Sequence, residues 1–251
     1  MSTPDRKDAV AETAPDTTSP SEEQLPETEM SLTELLVGRA SSYRVFSHLF
    51  LKPLTEKEIE DVAAADYIAV AKALEDADLL AEGLNDMGRA LKRRNTGTQQ
   101  ELATDYTMCF DGVETYKDEV AVPYASVFIG EEKELNQEPR HKVYRLFKTE
   151  NLGLKTGIDL PEDHLSFELE FLAILSDRAA KALEADNKEE AIRCLELSRE
   201  FITDHILTWY DLLWETALKI LKTRFYQGVL KATKGYLELD LKTIADMLEV
   251  I

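Results

Sequence analysis

The sequence predicts an all-α protein: a single compact domain of about nine to eleven helices, preceded by a disordered tail. From residue 31 onward, apolar residues recur at the three- and four-residue spacing of helix faces, and no strand-like alternation persists. The 251 residues, 44% of them hydrophobic, suffice for a real core. Residues 1–30 are rich in Pro, Ser, Thr, Asp and Glu and cannot bury enough apolar surface to offset their ordering entropy. We therefore expect a disordered acidic tail over 1–30 and the helical domain over 31–251.

Helix-start signals set out the first half of this domain. Residues 31–34 form a capping box, which opens a helix that Pro53 ends. Residues 55–58 form a second capping box, which opens a short helix. Helical spacing then covers three stretches in order: 65–81, about 84–110 with a break signal near 95–97, and 138–151.

The periodicity fades between residues 111 and 137. A long irregular loop in a compact domain is usually either functional or disordered. Because this loop contains Tyr124, Val127 and Phe128, we expect packing or ligand contact from it. The stretch 153–160 is a candidate mid-chain hinge.

The second half of the domain opens with its most informative residues. Asp159 suits an N-cap and Glu162 stands three residues later, as in a capping box, so we predict a helix over 161–185. Asp163 and His164 then lie in its first turn, where the helix holds both polar side chains in place and few local groups can bind them. We therefore expect the pair to bind a ligand. The helices that follow are predicted, in order, over 188–205, around 209–221, over 225–234 with a stop at Gly235, and over 240–251 with Asp240 as cap.

The net charge limits the class of partner. Acidic residues outnumber basic ones by 49 to 29, which gives a formal charge of −20. Such a chain lacks the basic face that nucleic acids and anionic membrane surfaces require, whereas it suits a basic peptide. A soluble acidic protein without a basic partner is the simpler alternative. No signal-peptide pattern and no run of about 18 apolar residues occurs, so we expect a cytoplasmic protein without membrane insertion.

Motifs for metal, nucleotide and nucleophile chemistry are weak. The two cysteines and four histidines have no zinc or di-iron spacing, and His164 with Glu168 supplies only two ligands. No glycine-rich phosphate loop occurs. Ser126 is a conceivable nucleophile beside Asp163, but it lies outside a nucleophile elbow, and adjacent helical residues point about 100° apart. The Asp-His pair could equally cap a helix or bind a neighbouring loop, and the aromatic residues of 106–128 could equally be core.

Several motifs occur in a characteristic order. The residues Pro-Glu-Asp-His-Leu at 161–165 precede Glu-Leu-Glu-Phe at 168–171, and Pro-Tyr-Ala-Ser-Val-Phe stands at 123–128. Further residues match the same pattern along the chain: Asp105, Tyr106, Phe110, Gly112, Val143, Tyr144, Gly153, Leu154, Phe201, His205, Trp209, Phe225 and Tyr226. With these motifs, residues 31–248 resemble the TorD/DmsD family of redox-enzyme maturation chaperones, with NarJ-type proteins as more distant relatives.

The resemblance implies a chaperone and not an enzyme. Members of this family bind a molybdenum-cofactor oxidoreductase of anaerobic respiration, commonly through its twin-arginine signal peptide, and hold the apoenzyme for cofactor insertion before export. No resident cofactor is implied, while indirect contact with the molybdenum cofactor or weak nucleotide binding stays open. The protein would act as a monomer or a domain-swapped homodimer. Two alternatives remain: an assembly factor that grips the mature apoenzyme, and a helical metalloprotein or hydrolase that uses His164 and Glu168.

The resemblance also implies a client-binding site. Asp163 would accept a charge-assisted hydrogen bond from a signal-peptide arginine. A groove of Tyr106, Phe110 and Tyr124 would take the apolar part of the peptide. His164, titrating near neutrality, would make binding sensitive to pH. The full set of expected client-binding residues is Tyr106, Phe110, Pro123, Tyr124, Ser126, Asp163, His164 and Glu168.

Overall fold

A computed structural model describes residues 31–74, 78–130, 135, 138–155 and 159–251. These ranges contain eleven α-helices and no β-strand beyond two isolated bridges, so the all-α prediction is confirmed. The elements are α1 (Leu32–Leu51), α2 (Glu56–Ala63), α3 (Tyr67–Ala73), α4 (Asp78–Lys92), α5 (Thr98–Cys109), α6 (Ala125–Ile129), α7 (Glu138–Thr149), α8 (Leu165–Glu184), α9 (Lys188–Phe201), a π-helical segment (Ile202–Ile206), α10 (Leu207–Ile220) and α11 (Arg224–Val250).

Some boundaries differ from the predictions. The two helices expected on either side of Gly235 are one helix, α11, which is 27 residues long and runs through the glycine. The stretch predicted as an irregular loop over 111–137 contains the short helix α6. The helix expected to begin at 161 begins at Leu165, because the preceding residues form a turn in which the His164 N–H donates to the Pro161 carbonyl at 3.2 Å.

Two expectations lie wholly or partly outside the described residues. The tail over 1–30 is one of them. The hinge over 153–160 is the other, because residues 156–158 within it are not described. Both stay predictions, as does an exchange of halves between protomers.

A buried ion pair ties three helices of the core together. The guanidinium of Arg39 in α1 binds both carboxylate oxygens of Asp240 in α11, at 2.7 and 2.8 Å. The same guanidinium donates to the Ser176 hydroxyl in α8 at 2.5 Å, and the Tyr43 hydroxyl donates to Asp240 at 2.5 Å. All four residues are buried. Asp240 therefore pairs with α1 in the middle of α11 and does not cap a separate helix.

Glycines let helices α4 and α11 approach with their backbones in contact. A Cβ atom on Gly83 would lie 2.3 Å from the backbone nitrogen of Ala232. A Cβ atom on Gly235 would lie 2.3 Å from the backbone nitrogen of Leu80. No side chain can yield there, because the atoms that would be struck belong to the opposing backbone. Gly235 thus serves close packing and not helix termination.

We expect Gly83→Ala and Gly235→Ala to lower the thermal unfolding midpoint. The added methyl group forces α4 and α11 apart, and overpacking of this kind costs about 1–3 kcal/mol. Gly38→Ala is the matched control, because the exposed position in α1 has no atom within 4 Å of a new Cβ. There alanine should stabilise the helix by about 1 kcal/mol. Equal midpoints for all three variants in circular dichroism melts would contradict the close-packing role.

Candidate functional site

Backbone pairing joins the two most characteristic sequence motifs. Tyr124 and His164 form an isolated antiparallel bridge, which places the start of α6 directly against the start of α8. The pairing brings together five of the eight residues predicted for the site. Its two hydrogen bonds run from the Ala125 N–H to the Asp163 carbonyl, 3.1 Å, and from the Leu165 N–H to the Pro123 carbonyl, 2.9 Å.

The Asp163 side chain holds the first turn of α6. It is fully buried, and one carboxylate oxygen accepts hydrogen bonds from the Ser126 N–H at 2.8 Å and the Ser126 hydroxyl at 2.5 Å. Its other oxygen, Oδ1, has no hydrogen-bond partner among the described residues. The prediction that Asp163 lies in the first turn of its own helix is wrong. It precedes α8 and supplies the capping acceptor that Tyr124, the N-cap of α6, does not supply.

His164 is the N-cap of α8. Its Nδ1 atom accepts a hydrogen bond from the Ser166 N–H at 3.1 Å, and its ring meets the Tyr124 ring edge-on at 4.7 Å. Only 3% of the residue is exposed, and this burial lowers the pKa of His164 to about 3. The expectation that His164 titrates near neutrality is therefore wrong, because desolvation penalises the charged imidazolium.

Glu168 and His205 form a buried pair beside these residues. Oε1 of Glu168 lies 2.6 Å from Nε2 of His205, which the π-helical segment carries. Burial alone would lower the pKa of His205, but the charge of Glu168, the hydrogen bond to it and the charge of Asp163 together outweigh burial and raise that pKa. Burial raises the pKa of Glu168, and the charge of the nearby Asp163 adds to this effect. Because both pKa values are raised, the pair keeps a bound proton to higher pH than an isolated carboxyl and imidazole would.

Five of these polar residues form a cluster inside the protein, which we call the polar centre. Its members are Ser126, Asp163, His164, Glu168 and His205. Sequence reasoning placed four of its members in the site and missed His205. The available signal was the four-residue spacing of Phe201, His205 and Trp209, which puts all three on one helical face. The Phe201 ring stacks on His205 at 5.0 Å.

Tyr106 and Phe110 lie away from the surface. They are 2% and 3% exposed, and the Tyr106 hydroxyl donates to the Phe50 carbonyl at 2.7 Å. Both rings pack edge-on against Tyr226 at 5.8 Å. The expected open groove of Tyr106, Phe110 and Tyr124 is therefore wrong, because two of its three members belong to the core.

An open groove does lie next to the polar centre, between α6, α10 and the chain before α6. It has a volume of about 150 Å³. Its Phe128 ring stacks on Trp209 at 5.8 Å, and Leu212 is 44% exposed. We call it the α6–α10 groove; its lining residues are Asp118, Glu119, Val120, Val127, Phe128, Leu212, Glu215 and Thr216. Apolar side chains and three carboxylates thus share one concave surface.

The described ranges contain neither a candidate metal site nor a candidate membrane-spanning helix. No group of three or more His, Cys, Asp or Glu side chains there could hold a metal ion. No helix in those ranges is long and apolar enough to cross a membrane. Cys109 and Cys194 are free and buried.

We expect Asp163→Asn to lower the free energy of unfolding by about 1–3 kcal/mol, because a buried capping interaction loses its charge. The neutral amide offers one oxygen to two donors and brings an NH₂ group into the same buried space. Asp159→Asn is the matched control, since Asp159 is exposed. Urea unfolding gives the free energies, and hydrogen exchange of residues 122–130 should rise only in Asp163→Asn. Equal effects of both substitutions would refute the capping role.

The lowered pKa of His164 predicts acid sensitivity. The unfolded chain takes up the His164 proton near pH 6.5, whereas the folded chain resists it down to about 3. Protonation therefore favours unfolding, and this contribution to stability is complete above pH 6.5 and declines as the pH falls below it. His164→Asn keeps a capping side chain without a titrating ring. From about pH 7 to about pH 5, the wild type should lose stability relative to this variant by about 1 kcal/mol per pH unit. Parallel curves of urea-derived stability against pH would contradict the assignment.

Comparisons with known proteins identify the family. The family model described as nitrate reductase delta subunit matches residues 73–215. The chain is 29% identical to the chaperone protein TorD of Vibrio parahaemolyticus, over 80% of this chain and 92% of that protein. It is 29% identical to TorD of Vibrio vulnificus strain YJ016, with the same coverage, and 25% identical to TorD of Aliivibrio salmonicida, over 82% and 94%. Because the family model covers more than half of the chain, this protein belongs to the nitrate reductase delta subunit family, the maturation chaperones that the sequence motifs resemble.

Proposed function

We propose that this protein is a cytoplasmic chaperone that binds a molybdenum-cofactor oxidoreductase through its twin-arginine signal peptide and holds the apoenzyme for cofactor insertion before export. Its family is one of maturation chaperones for molybdoenzymes, and its relatives are named chaperones and not enzymes. The single observation that carries the finer proposal is the α6–α10 groove, where exposed apolar and acidic side chains occur together.

The groove complements the chemistry of such a signal. A twin-arginine signal offers two guanidinium groups followed by an apolar stretch. Phe128 and Leu212 give apolar surface to bury, at about 25 cal/mol per Å². Glu215 and the neighbouring carboxylates can accept charge-assisted hydrogen bonds from arginine. The net charge of −20 would speed the encounter with a basic segment.

In this proposal the polar centre positions the groove, and the client does not need to reach it. Asp163 anchors the start of α6, and Phe128 lies in that helix with its ring on Trp209. Pro123 and Tyr124 lead into α6 and are paired with the start of α8, so they support the same wall. We thus propose that the eight predicted residues act indirectly, by holding the groove in shape. The residues that line the groove make the direct contacts with the peptide.

We expect Glu215→Gln and Leu212→Ala each to weaken binding of a twin-arginine signal peptide about tenfold, as a charge pair or an apolar anchor is lost. Both positions are exposed, so folding should be unaffected. Glu189→Gln on the exposed start of α9 is the control for loss of one negative charge. Calorimetric titration measures the affinities, with a peptide that carries alanine at both arginine positions as the second control.

The outcomes separate the groove from the function. If the signal peptide binds the wild type and the groove variants equally well, the groove is not the binding site, but the protein is still a chaperone that binds the signal. If no signal peptide binds, but the chaperone co-purifies with an apo-molybdoenzyme lacking its signal, the grip is on the mature enzyme. Failure of both experiments would contradict the proposed function.

A further inference from the structure

A second cavity, whose charged lining residues are mostly cations, lies between the end of α4, the start of α5 and the turn from α10 into α11. Its volume is about 210 Å³. The charged residues that line it are Arg89, Arg93, Glu101, Lys222 and Arg224. It shares no lining residue with the α6–α10 groove. Four cations around one cavity are unexpected in a protein with 49 acidic residues and a formal charge of −20.

Two of these cations, Arg89 and Arg93, have no carboxylate partner among the described residues. Within the described ranges, every arginine except Arg89, Arg93 and Arg199 forms an ion pair with Asp or Glu. Arg89 donates only to the side-chain oxygen of Asn85, at 3.1 Å. Two of the three arginines without a carboxylate partner therefore line the same cavity. The sequence has 49 acidic residues, yet these two arginines lack the carboxylate partner that most of the other described arginines have.

The other wall of the cavity is held rigidly. Both oxygens of the buried Asp105 accept bonds from the turn: the Lys222 N–H at 2.8 Å, the Thr223 N–H at 2.9 Å and the Thr223 hydroxyl at 2.5 Å. The Arg224 guanidinium binds Asp86 at 2.7 Å, and the Lys222 ammonium lies 3.1 Å from Glu114. Once these pairs are set aside, Arg89 and Arg93 face one lining carboxylate, Glu101. An excess of positive charge remains inside a preformed concavity.

The start of α5 adds to this positive potential. Its N-cap, Gly97, supplies no side-chain acceptor to the first turn, and Thr98 lines the cavity. The partial positive charge of a helix N-terminus therefore adds to that of the guanidinium groups. This contribution supports the site and does not define it.

We propose that this cavity binds a small phosphate-bearing anion of the size of inorganic phosphate or pyrophosphate. One guanidinium group can bind two phosphate oxygens at once, and the two guanidinium groups of Arg89 and Arg93 carry more positive charge than the one lining carboxylate, Glu101, neutralises. The volume lies below the roughly 300–1,000 Å³ of pockets that enclose drug-sized ligands, which favours a compact ion. The proposal is independent of the client-binding function, since the two surfaces share no residue.

The test measures the binding of inorganic phosphate and pyrophosphate to the full chain, by calorimetry and by the shift of the thermal midpoint at constant ionic strength. We expect pyrophosphate to bind the wild type, and Arg89→Gln and Arg93→Gln each to weaken it about tenfold. Arg199→Gln is the matched control, because this exposed arginine also lacks a carboxylate partner but lies outside the cavity. Arg89 and Arg93 are exposed, and circular dichroism checks that their variants fold.

Two further arms complete the test. Acetate at the same ionic strength should not bind, and a phosphate monoester of a small alcohol distinguishes esterified from free phosphate as the preferred form. Loss of binding in both cavity variants but not in Arg199→Gln would support the site. The proposal is overturned if the wild type binds none of the phosphates, if acetate binds equally well, or if all three arginine variants bind alike.

Discussion

The arrangement of the candidate site depends on one buried carboxylate. Asp163 takes two hydrogen bonds from Ser126 and so fixes the first turn of α6, a helix of only five residues. A helix this short is not stable by itself in water, because nucleation costs more than its few hydrogen bonds return. Phe128, the stacked Trp209 and one wall of the α6–α10 groove follow from where α6 is held. The surface proposed to bind a client is therefore positioned by a residue inside the core.

The same solution appears a second time in the chain. Asp105 binds the N–H and hydroxyl of Thr223 as Asp163 binds those of Ser126, and each carboxylate thereby fixes the start of a helix remote in sequence. Burying a carboxylate is costly unless hydrogen bonds replace its hydration. Because a shifted register would leave such a carboxylate unpaired, these bonds select one arrangement of the helices more strongly than apolar packing alone. The Arg39–Asp240 pair acts in the same way between α1 and α11.

Helices were predictable from the sequence wherever the decisive interactions are local. The capping boxes that begin α1 and α2 are present as predicted. Gly235 misled the prediction, because a glycine that ends a helix and a glycine that admits a neighbouring backbone look alike without the partner helix. The site residues around Asp163 were found by motif, but their roles were not. Whether an Asp contacts a ligand or caps a distant turn depends on burial, which local sequence does not encode.

Ion pairing explains why the α6–α10 groove and the cationic cavity differ in what their charges indicate. In a strongly acidic protein, carboxylates are abundant and arginines find partners readily, so an unpaired carboxylate at the surface carries little information, whereas an unpaired arginine carries more. α10 lies between the two sites: Leu212 and Glu215 face the acidic groove, and the turn that follows this helix presents Lys222 to the cationic cavity. The negative potential of the groove can attract a basic segment, and the positive potential of the cavity can attract a small anion, so the two ligands would not compete for one surface. The fold thus keeps the two proposed binding surfaces apart, with α10 between them.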